Sequence, residues 1–346
     1  MAAGFKSATV RAADVPATQT DMPSYVDLAR IGITTLAEAQ SVRVYADSAK
    51  TTEWAREIVS LTEMHVKVPS LTSTVVMYVD WDGVRADLAV GATYGRNAVW
   101  TDYKAVYHMN EEPTSATAIK DSTGSFDSTG IVGSMTSGDQ VTGKLGGAID
   151  FDGTDDGLEF PQVWDGVGDV TMQAWFSTTD AGGTGNITNQ RANAAGTQPF
   201  ILSVLRKTTA NKTNWIQRGT SYTDTAGATT INTGSWFLTH LKRSGSTATI
   251  YINSSSDASA TVNSTDIVET NSIMRIGTGF GTTQEVWNGK ICEVRYRALA
   301  LSANWITTEY NNQNAESTFW GTWTTVGSGF TPNPLMHMRM MAGGMV

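Results

Sequence analysis

The stretch that decides the fold is Gly146-Gly-Ala-Ile-Asp-Phe-Asp-Gly-Thr-Asp-Asp-Gly-Leu-Glu-Phe160. Apolar and acidic residues alternate over residues 149–152, with the two-residue period of a half-buried strand. Residues 153–157 have turn chemistry, because Gly tolerates positive φ and Asp hydrogen-bonds nearby backbone. The alternation resumes over residues 158–160. The stretch therefore predicts two short strands joined by an acidic turn.

The composition around this stretch favours an all-β protein with many turns. The chain has 346 residues, of which 33 are Gly, and only 16% are charged, which is unlike a helical bundle. That length fits two domains. The net charge is −9 and no Lys/Arg-rich run occurs, which argues against a nucleic-acid partner or an anionic membrane surface. No window approaches the ~20 apolar residues of a membrane span, so we expect no membrane insertion.

Strand-like runs recur on both sides of the opening stretch. Val42-Arg-Val-Tyr45, His65-Val-Lys-Val68 and Val76-Met-Tyr-Val79 predict a mostly β first unit. Residues 94–103 have no strand pattern and form the candidate linker. Two apolar runs on either side of Arg243-Ser-Gly-Ser246 predict a hairpin over residues 236–253. Ser302 is placed to cap a short helix that follows the last strand.

Several motifs in the second half occur in the order found in one known family. They are Tyr107-His-Met109, Asp121-Ser-Thr-Gly124, the Gly146–Phe160 stretch, Met172-Gln-Ala-Trp175, the 236–253 hairpin and Gly289-Lys-Ile-Cys-Glu-Val-Arg295. In this order the chain resembles a laminin-G-like, concanavalin A-like jelly-roll domain. The resemblance implies a recognition module and names no ligand. The family often has Asp where Cys292 stands.

The first half is similar to an uncharacterised β-sandwich family that often precedes laminin-G-like domains in phage and bacterial surface proteins. We therefore predict an all-β chain of two β-sandwich domains, the second a concanavalin A-like jelly roll, followed by an extended tail. The predicted domains are an anchoring β-sandwich at residues 1–100, a jelly roll at 101–318 and a Met-rich docking tail at 319–346.

Aromatic residues in loop-like segments are the candidate glycan-binding groups. Sugar rings stack on exposed aromatic faces, and amide or acidic side chains bind their hydroxyls. The candidates lie near Asn, Asp and Thr, and they are Trp164, Trp215, Tyr222 and Trp287. The alternative for each Trp is partial burial under a loop or at a subunit contact.

Clustered aspartates give a candidate calcium site. Carboxylate oxygens suit Ca²⁺, and many laminin-G-like domains carry one ion near the rim of the sandwich. The candidate ligands are Asp121, Asp152, Asp155 and Asp156. The alternative is that these residues only build turns, because their spacing is not that of a twelve-residue calcium loop.

The residues give little support to catalysis. The sequence lacks a Gly-x-Ser-x-Gly elbow, a phosphate-binding loop and a His-Glu-x-x-His motif. Glu285 and Glu293 exist, but without the paired-carboxylate spacing of a glycosidase. His108 and His240 are predicted to be strand residues with one satisfied nitrogen. Cys292, the single cysteine, excludes a disulfide framework and is predicted to be a core residue.

The last residues are unusually rich in Met and Pro. Met is adaptable and common at interaction surfaces, whereas a free tail is normally polar. The predicted subunit-docking residues are Leu335, Met336, Met338, Met340 and Met341. The alternative is a disordered end.

These features favour a non-enzymatic phage virion protein, such as a capsid decoration, head-fibre or tail-associated component. Residues 1–7 lack the apolar core of a signal peptide, and a phage protein leaves its host by lysis. Its expected partners are other virion proteins, further copies of itself and host glycans, and its expected location is the virion. The alternatives are a secreted or cell-surface carbohydrate-binding module and a glycoside hydrolase.

Overall fold

The computed structural model describes residues 3–191, 201–208, 210–218, 222–262, 272–279 and 285–327. Within these, only the backbone is described for residues 191, 201–206, 217, 218 and 222. Strands dominate, which confirms the all-β prediction.

The strands of the first unit carry alternating apolar residues, as the sequence predicts. They are β1 (Gly4–Thr9), β2 (Gln19–Val26), β3 (Arg43–Tyr45), β4 (Glu53–Trp54), β5 (Arg56–Ile58), β6 (Met64–Leu71) and β7 (Val76–Trp81). Their short helices are α1 (Leu28–Ile31), α2 (Leu36–Ser41) and α3 (Arg96–Val99). A five-stranded sheet has the order β23-β1-β7-β3-β4, where β23 is the C-terminal strand Thr324–Thr325. This sheet and a three-stranded sheet, β2-β6-β5, share one hydrophobic core.

The second half of the chain supplies the longer strands. They are β8 (Tyr103–Tyr107), β9 (Gly130–Val132), β10 (Gln140–Thr142), β11 (Gly147–Asp152), β12 (Gly157–Phe160), β13 (Val170–Ser177), β14 (Gly185–Arg191), β15 (Ile201–Lys207), β16 (Lys212–Arg218), β17 (Tyr222–Thr230), β18 (Phe237–Ser244), β19 (Thr247–Ile252), β20 (Ser255–Thr261), β21 (Ile273–Ile276) and β22 (Asn288–Arg297). The elements that follow are α4 (Ala303–Asn314), α5 (Glu316–Phe319) and β23 (Thr324–Thr325).

These strands form the two layers of a jelly roll. One layer has the order β10-β11-β22-β13-β18-β19-β20, with β8 also paired to β22. The other has the order β17-β16-β15-β14-β21-β12-β9. The inner faces of both sheets contribute to one core, for example Met172 from the first and Ile276 from the second. The predicted hairpin is confirmed, because β18 pairs antiparallel with β19.

The opening stretch forms its two strands, but they do not pair with each other. β11 pairs with β10 and β22 in the eight-stranded sheet, whereas β12 pairs with β9 and β21 in the seven-stranded sheet. The turn at residues 153–156 therefore carries the chain from one layer of the sandwich to the other. Gly153 has φ +75, a conformation that favours glycine.

The chain returns to the first unit at its C-terminal end. Ser302 caps α4 as predicted, by accepting a hydrogen bond from the backbone N–H of Trp305 at 3.1 Å. Trp305, Phe319 and Trp320 are buried in the core of the first unit. β23 then pairs with β1. Residues 319–327, predicted to belong to a docking tail, thus complete the first unit, while the boundaries of independently folding domains stay a prediction.

The helices are short and serve as connections or cover. α4, the longest in the described part of the chain, has 12 residues. No helix among the described residues has the length and apolar character to cross a membrane.

Candidate functional site

Ionisable side chains gather where the first unit meets the outer face of the eight-stranded sheet. All are buried, and we call them the junction cluster: Glu57, Glu63, His65, His108, Glu293, Arg295 and Glu309. Their positions come from separate parts of the chain, namely β5, the start of β6, the end of β8, β22 and α4. Such a set assembles only when both units and the helix have folded together.

A β-bulge directs Glu293 into this cluster. The register between β13 and β22 shifts between Gln173 and Trp175, and Glu293 adopts φ 52 in the left-handed region. Ile291 pairs with Phe176 on the core side of the sheet, while Arg295 pairs with Gln173 on the outer side. A left-handed conformation is costly for a non-glycine residue, so the surrounding contacts must hold it.

His108 joins the two units through both ring nitrogens. Its Nδ1 lies 2.6 Å from Oε1 of Glu293, and its Nε2 lies 3.2 Å from Oε2 of Glu57. Glu57 also accepts hydrogen bonds from the Ser122 hydroxyl, at 2.7 Å, and from the indole N–H of Trp100. Trp100, which lies in the predicted linker at residues 94–103, is therefore buried at this joint.

Arg295 connects the cluster to helix α4. Its Nε donates to Glu293 at 3.1 Å, and its Nη1 donates to Glu309 at 3.0 Å. Glu309 also lies 3.0 Å from Nε2 of His240. His240 Nδ1 has no partner among the described residues, which confirms the predicted single satisfied nitrogen, whereas His108 uses both.

Burial and charge pairing shift the pKa values of the residues in the junction cluster in opposite directions. Burial alone raises the pKa of Glu293, but His108 and Arg295 outweigh it and hold the pKa well below its ordinary value. Burial lowers the pKa of His108, but Glu293 and Glu57 outweigh it and raise the pKa well above its ordinary value. Burial, followed by the charge of Glu293, raises the pKa of Glu63. Burial lowers the pKa of His65.

This closed geometry is structural rather than catalytic. Glu293 and Arg295 are each 1% exposed, so no polymeric substrate reaches them. Glu285, the other carboxylate considered for hydrolysis, accepts a hydrogen bond from the Asn186 amide at 3.1 Å.

A second set of polar residues crosses the outer face of the seven-stranded sheet. Residues directly opposite one another in neighbouring strands share a face, and the register links them in one row. In strand order the row contains Gly130, Glu159, Arg275, Asn189, Val204, Ile216 and Asp224. We call this the sheet-face row. The neighbouring row, with Leu158, Ile276 and Trp215, belongs to the core.

Asn189 stands at the centre of the sheet-face row without a partner. Neither its Nδ2 nor its Oδ1 has a hydrogen-bond partner among the described residues, and the side chain is fully buried. Arg275 beside it donates from Nε to Glu159 at 2.9 Å. Glu159 is half-buried and Asp224 is exposed, so the row is open at its ends. Amide, carboxylate and guanidinium groups on one face can bind sugar hydroxyls.

The predicted glycan-binding tryptophans do not supply exposed rings. Trp164, Trp215 and Trp287 are 3%, 1% and 1% exposed and belong to the jelly-roll core. The prediction of exposed faces at these positions is wrong, because the sandwich closes over them and leaves no ring surface for stacking. Tyr222 begins β17, and its side chain lies outside the described residues.

The predicted calcium ligands separate into one structural residue and a group of three. Asp121 is buried beside β8 and organises its loop. It accepts hydrogen bonds from the backbone N–H groups of Val106, Thr123, Ser125 and Phe126. It therefore does not join the others. Asp152, Asp155 and Asp156 do come together, with one carboxylate oxygen from each within 4.8 Å of the others. Calcium at this group stays a prediction.

The aspartates of this group also hold the turn between the layers. Asp152 accepts a hydrogen bond from Thr154 N–H at 2.7 Å, and Asp156 accepts one from Asp152 N–H at 3.0 Å. Burial raises the pKa of Asp156 to about 6.

Other predictions concern Cys292 and the tail. Cys292 is fully buried in the core, as predicted. The predicted docking residues Leu335, Met336, Met338, Met340 and Met341 lie outside the described residues.

The sequence did not predict that the residues of the junction cluster, or those of the sheet-face row, come together. The only signal for Glu293 is a carboxylate between Cys292 and Val294 in an apolar strand. Asn189 lies in a polar stretch with no motif, so nothing in the local pattern distinguishes it.

An open groove of about 660 Å³ runs along the junction of the two units. Its lining residues are Ser60, Leu61, Thr62, Asn110, Gln140, Val141, Thr142, Gly146 and Gly147, none of which is aromatic. It shares no residue with the sheet-face row.

Comparison with known proteins finds a family match within the second half of the chain. Residues 152–307 match the family model described as the concanavalin A-like lectin/glucanases superfamily. The predicted concanavalin A-like jelly roll is thus confirmed for that part of the chain. No match to the chain occurs among curated proteins.

Similar solved structures include domain 4 of AbnA, a GH43 extracellular arabinanase from Geobacillus stearothermophilus, in complex with arabinotriose. It is 21% identical with a TM-score of 0.45, over 60% of this chain and 97% of that one. The binding domain of Paraclostridial Mosquitocidal Protein 1 is 12% identical with a TM-score of 0.45, over 61% and 52%. The CBM40 of a Ruminococcus gnavus sialidase, bound to α2,3-sialyllactose, is 16% identical with a TM-score of 0.36, over 41% and 83%. Each of these likenesses concerns the fold alone.

Proposed function

We propose that this chain is a non-enzymatic glycan-binding protein whose jelly roll contacts carbohydrate through the sheet-face row. The observation that carries the proposal is the open end of the row, where half-buried Glu159 accepts a hydrogen bond from Arg275. Asn189, a fully buried amide beside this pair, has no hydrogen-bond partner among the described residues. An unsatisfied buried amide costs about 1–3 kcal/mol, and a bound state that admits a ligand hydroxyl to Asn189 would offset that cost. The family model that matches this domain includes lectins, which fits the proposal.

The spacing of the carboxylates in the row supports binding rather than hydrolysis. Glu159 and Asp224 stand on β12 and β17, which are separated by five inter-strand steps. At about 4.8 Å per step they are roughly 24 Å apart. Glycosidases need carboxylates about 5–9 Å apart. Glu293 is closed off in the junction cluster, so it offers no second carboxylate on this face.

A glycan screen followed by titration tests the binding proposal. We expect Arg275→Met to weaken the affinity for the best glycan by about 10- to 100-fold, since hydrogen bonds to charged groups are worth about 1.5–3 kcal/mol. Asn189→Ala should weaken it by about 2- to 10-fold, since hydrogen bonds to neutral groups are worth about 0.5–1.5 kcal/mol. Gln140→Ala in the junction groove is the matched control and should leave the affinity unchanged. Loss of binding in Gln140→Ala alone would move the site to the groove, and the absence of any glycan ligand would overturn the proposal.

We further propose that the protein is displayed on a bacteriophage virion, as a decoration, head-fibre or tail-associated component. Repeated copies on a particle would turn weak glycan contacts into avid ones. Its partners there would be capsid or tail proteins, contacted through the first unit or the Met-rich end, and further copies of itself. Mass spectrometry of purified particles and imaging of the particle surface test this setting. Detection only as a secreted or cell-wall protein would favour the alternative of a surface carbohydrate-binding module.

A further inference from the structure

Four side chains of the junction cluster present nitrogen and oxygen atoms to one another at close range. Nε2 of His65 lies 2.8 Å from Oε1 of Glu63 and 3.8 Å from Oε2 of Glu293. Nδ1 of His108 lies 3.3 Å from Oε1 of Glu63 and 2.6 Å from Oε1 of Glu293. One ligand atom from each of the four residues lies within 4.8 Å of all the others.

These separations suit a single small cation. Zinc bonds to imidazole nitrogen and carboxylate oxygen are about 2.0–2.2 Å long, so the ligand atoms of a tetrahedral site stand about 3.4 Å apart. The four contacts range from 2.6 to 3.8 Å around that value. Two carboxylates and two neutral imidazoles also balance the charge of a divalent ion.

The surroundings resemble the support that metal ligands receive. Metal-bound histidines commonly donate their second N–H to a carboxylate, which fixes the ring. Glu57 occupies that place for His108, with its Oε2 3.2 Å from Nε2. Arg295 holds the other ligand, Glu293, from the opposite side.

The cluster also lacks part of what buried charge requires. Oε2 of Glu63 has no hydrogen-bond partner among the described residues, although the side chain is fully buried. A buried carboxylate without compensation is expensive, and a bound cation supplies that compensation.

We propose that Glu63, His65, His108 and Glu293 bind one divalent transition-metal ion of the zinc type. The first unit supplies Glu63 and His65, and the jelly roll supplies His108 and Glu293, so the ion clamps the two units together. All four ligands are protein groups and the site is closed, which is the arrangement of structural rather than catalytic zinc. Because both units contribute ligands, binding is coupled to their association.

Metal analysis of the full chain tests the proposal directly. Protein produced in zinc-supplemented medium and purified without chelator should contain about one zinc per chain, as measured by inductively coupled plasma mass spectrometry. Growth with Co²⁺ instead should give the visible absorption of tetrahedral cobalt. Zinc-free protein should unfold more than about 5 °C lower than the zinc form.

Paired variants locate the ion. Glu63→Gln and His108→Gln keep the side-chain size, and folded protein of either variant should lose at least 90% of its zinc. Asp155→Asn, in the exposed acidic turn, is the control and should retain it. Folded wild-type protein with no transition metal would overturn the proposal and leave protons as the source of positive charge. Zinc lost from Asp155→Asn but kept in Glu63→Gln would also overturn it, by moving the ion to the turn.

Discussion

The two outer faces of the jelly roll bury polar residues in opposite ways. On the eight-stranded sheet, Arg295 meets Glu293 and Glu309, and His108 meets a carboxylate at each ring nitrogen. On the seven-stranded sheet, Asn189 is equally buried but has no partner among the described residues. The comparison teaches that equally buried polar groups can differ in hydrogen-bond satisfaction. An unpaired buried atom, such as the Asn189 amide or Oε2 of Glu63, is therefore a place where a ligand or an ion would supply the missing partner.

The reason lies in what covers each face. The first unit and α4 pack on the eight-stranded sheet and bring complementary charges, so that face forms a permanent interface. Satisfied groups contribute to stability, and removing one leaves another unpaired. An unsatisfied group lowers stability, and replacing it relieves that cost.

The largest effect should come from Arg295→Met. The change leaves two buried carboxylates without their guanidinium partner, which typically costs about 3–5 kcal/mol. Urea denaturation should therefore show a large loss in the free energy of unfolding. Lys120→Met, which removes an exposed pair with Asp127, should change it by less than about 1 kcal/mol. Equal effects of the two variants would contradict the distinction between the covered face and ordinary surface charge.

Asn312→Ala should have the next largest effect. The side chain of this α4 residue accepts from the backbone N–H of Tyr25 at 2.6 Å and donates to its carbonyl at 3.0 Å. Its loss leaves the buried N–H and carbonyl of Tyr25 without this partner, which should lower the free energy of unfolding by about 2 kcal/mol. Asn314→Ala, at the exposed end of the same helix, is the matched control. If calorimetry gives the same melting temperature for both variants, α4 does not hold the two units together as described.

Asn189→Val should change stability in the opposite direction. Removing the unpartnered amide from a buried strand position should raise the free energy of unfolding by about 1 kcal/mol, and Val suits a strand. The same variant should lose glycan affinity. A destabilised variant would show that the amide is satisfied in solution and would remove the contrast between the two faces.

The smallest effect concerns pH and the acidic turn. The folded-state pKa of Asp156, about 6, lies above its ordinary value of 3.8 because of burial, so stability falls as pH rises from about 4 to 6. Asp156→Asn should therefore be more stable than the wild type above pH 6. The difference should be less than about 1 kcal/mol, because the turn around this buried side chain, including Asp152 and Thr154, is exposed to water. Urea denaturation at pH 4 and pH 7 measures this.

Asp47→Asn provides a control of the opposite sign. The backbone N–H of Thr51, followed by other hydrogen bonds, lowers the pKa of Asp47. Its carboxylate contributes stability above its ordinary pKa, and that stability disappears as pH falls through the lowered value. Asp47→Asn should thus have a lower free energy of unfolding than the wild type at pH 7. The same sign for both variants would contradict these assignments.

Local features were predictable because they depend on neighbours in the chain. The 236–253 hairpin and the Ser302 cap follow from turn and capping chemistry. The prediction of exposed tryptophan rings is wrong because the loop-like sequence around Trp164 and Trp287 does not show which residues pack over those rings. Asp121 shares only its residue type with the turn aspartates, because it lies between β8 and β9, whereas they lie where β11 leads to β12.

The sequence alone determined that the chain is all-β and where many of its strands and turns lie, because two-residue periodicity and turn residues act over a few neighbours. The concanavalin A-like jelly roll of the second half followed from the resemblance of its ordered motifs to a known family. The tertiary structure alone decided that β11 and β12 belong to different layers, that Glu293 turns outward at a bulge, and that the C-terminal strand returns to the first unit. Those outcomes depend on pairings between residues far apart in the chain, which no local pattern encodes. The acidic turn at residues 153–156 therefore connects the two sheets of the jelly roll. The buried charges lie on the outer face of the eight-stranded sheet, and the Asn189 amide lies on that of the seven-stranded sheet.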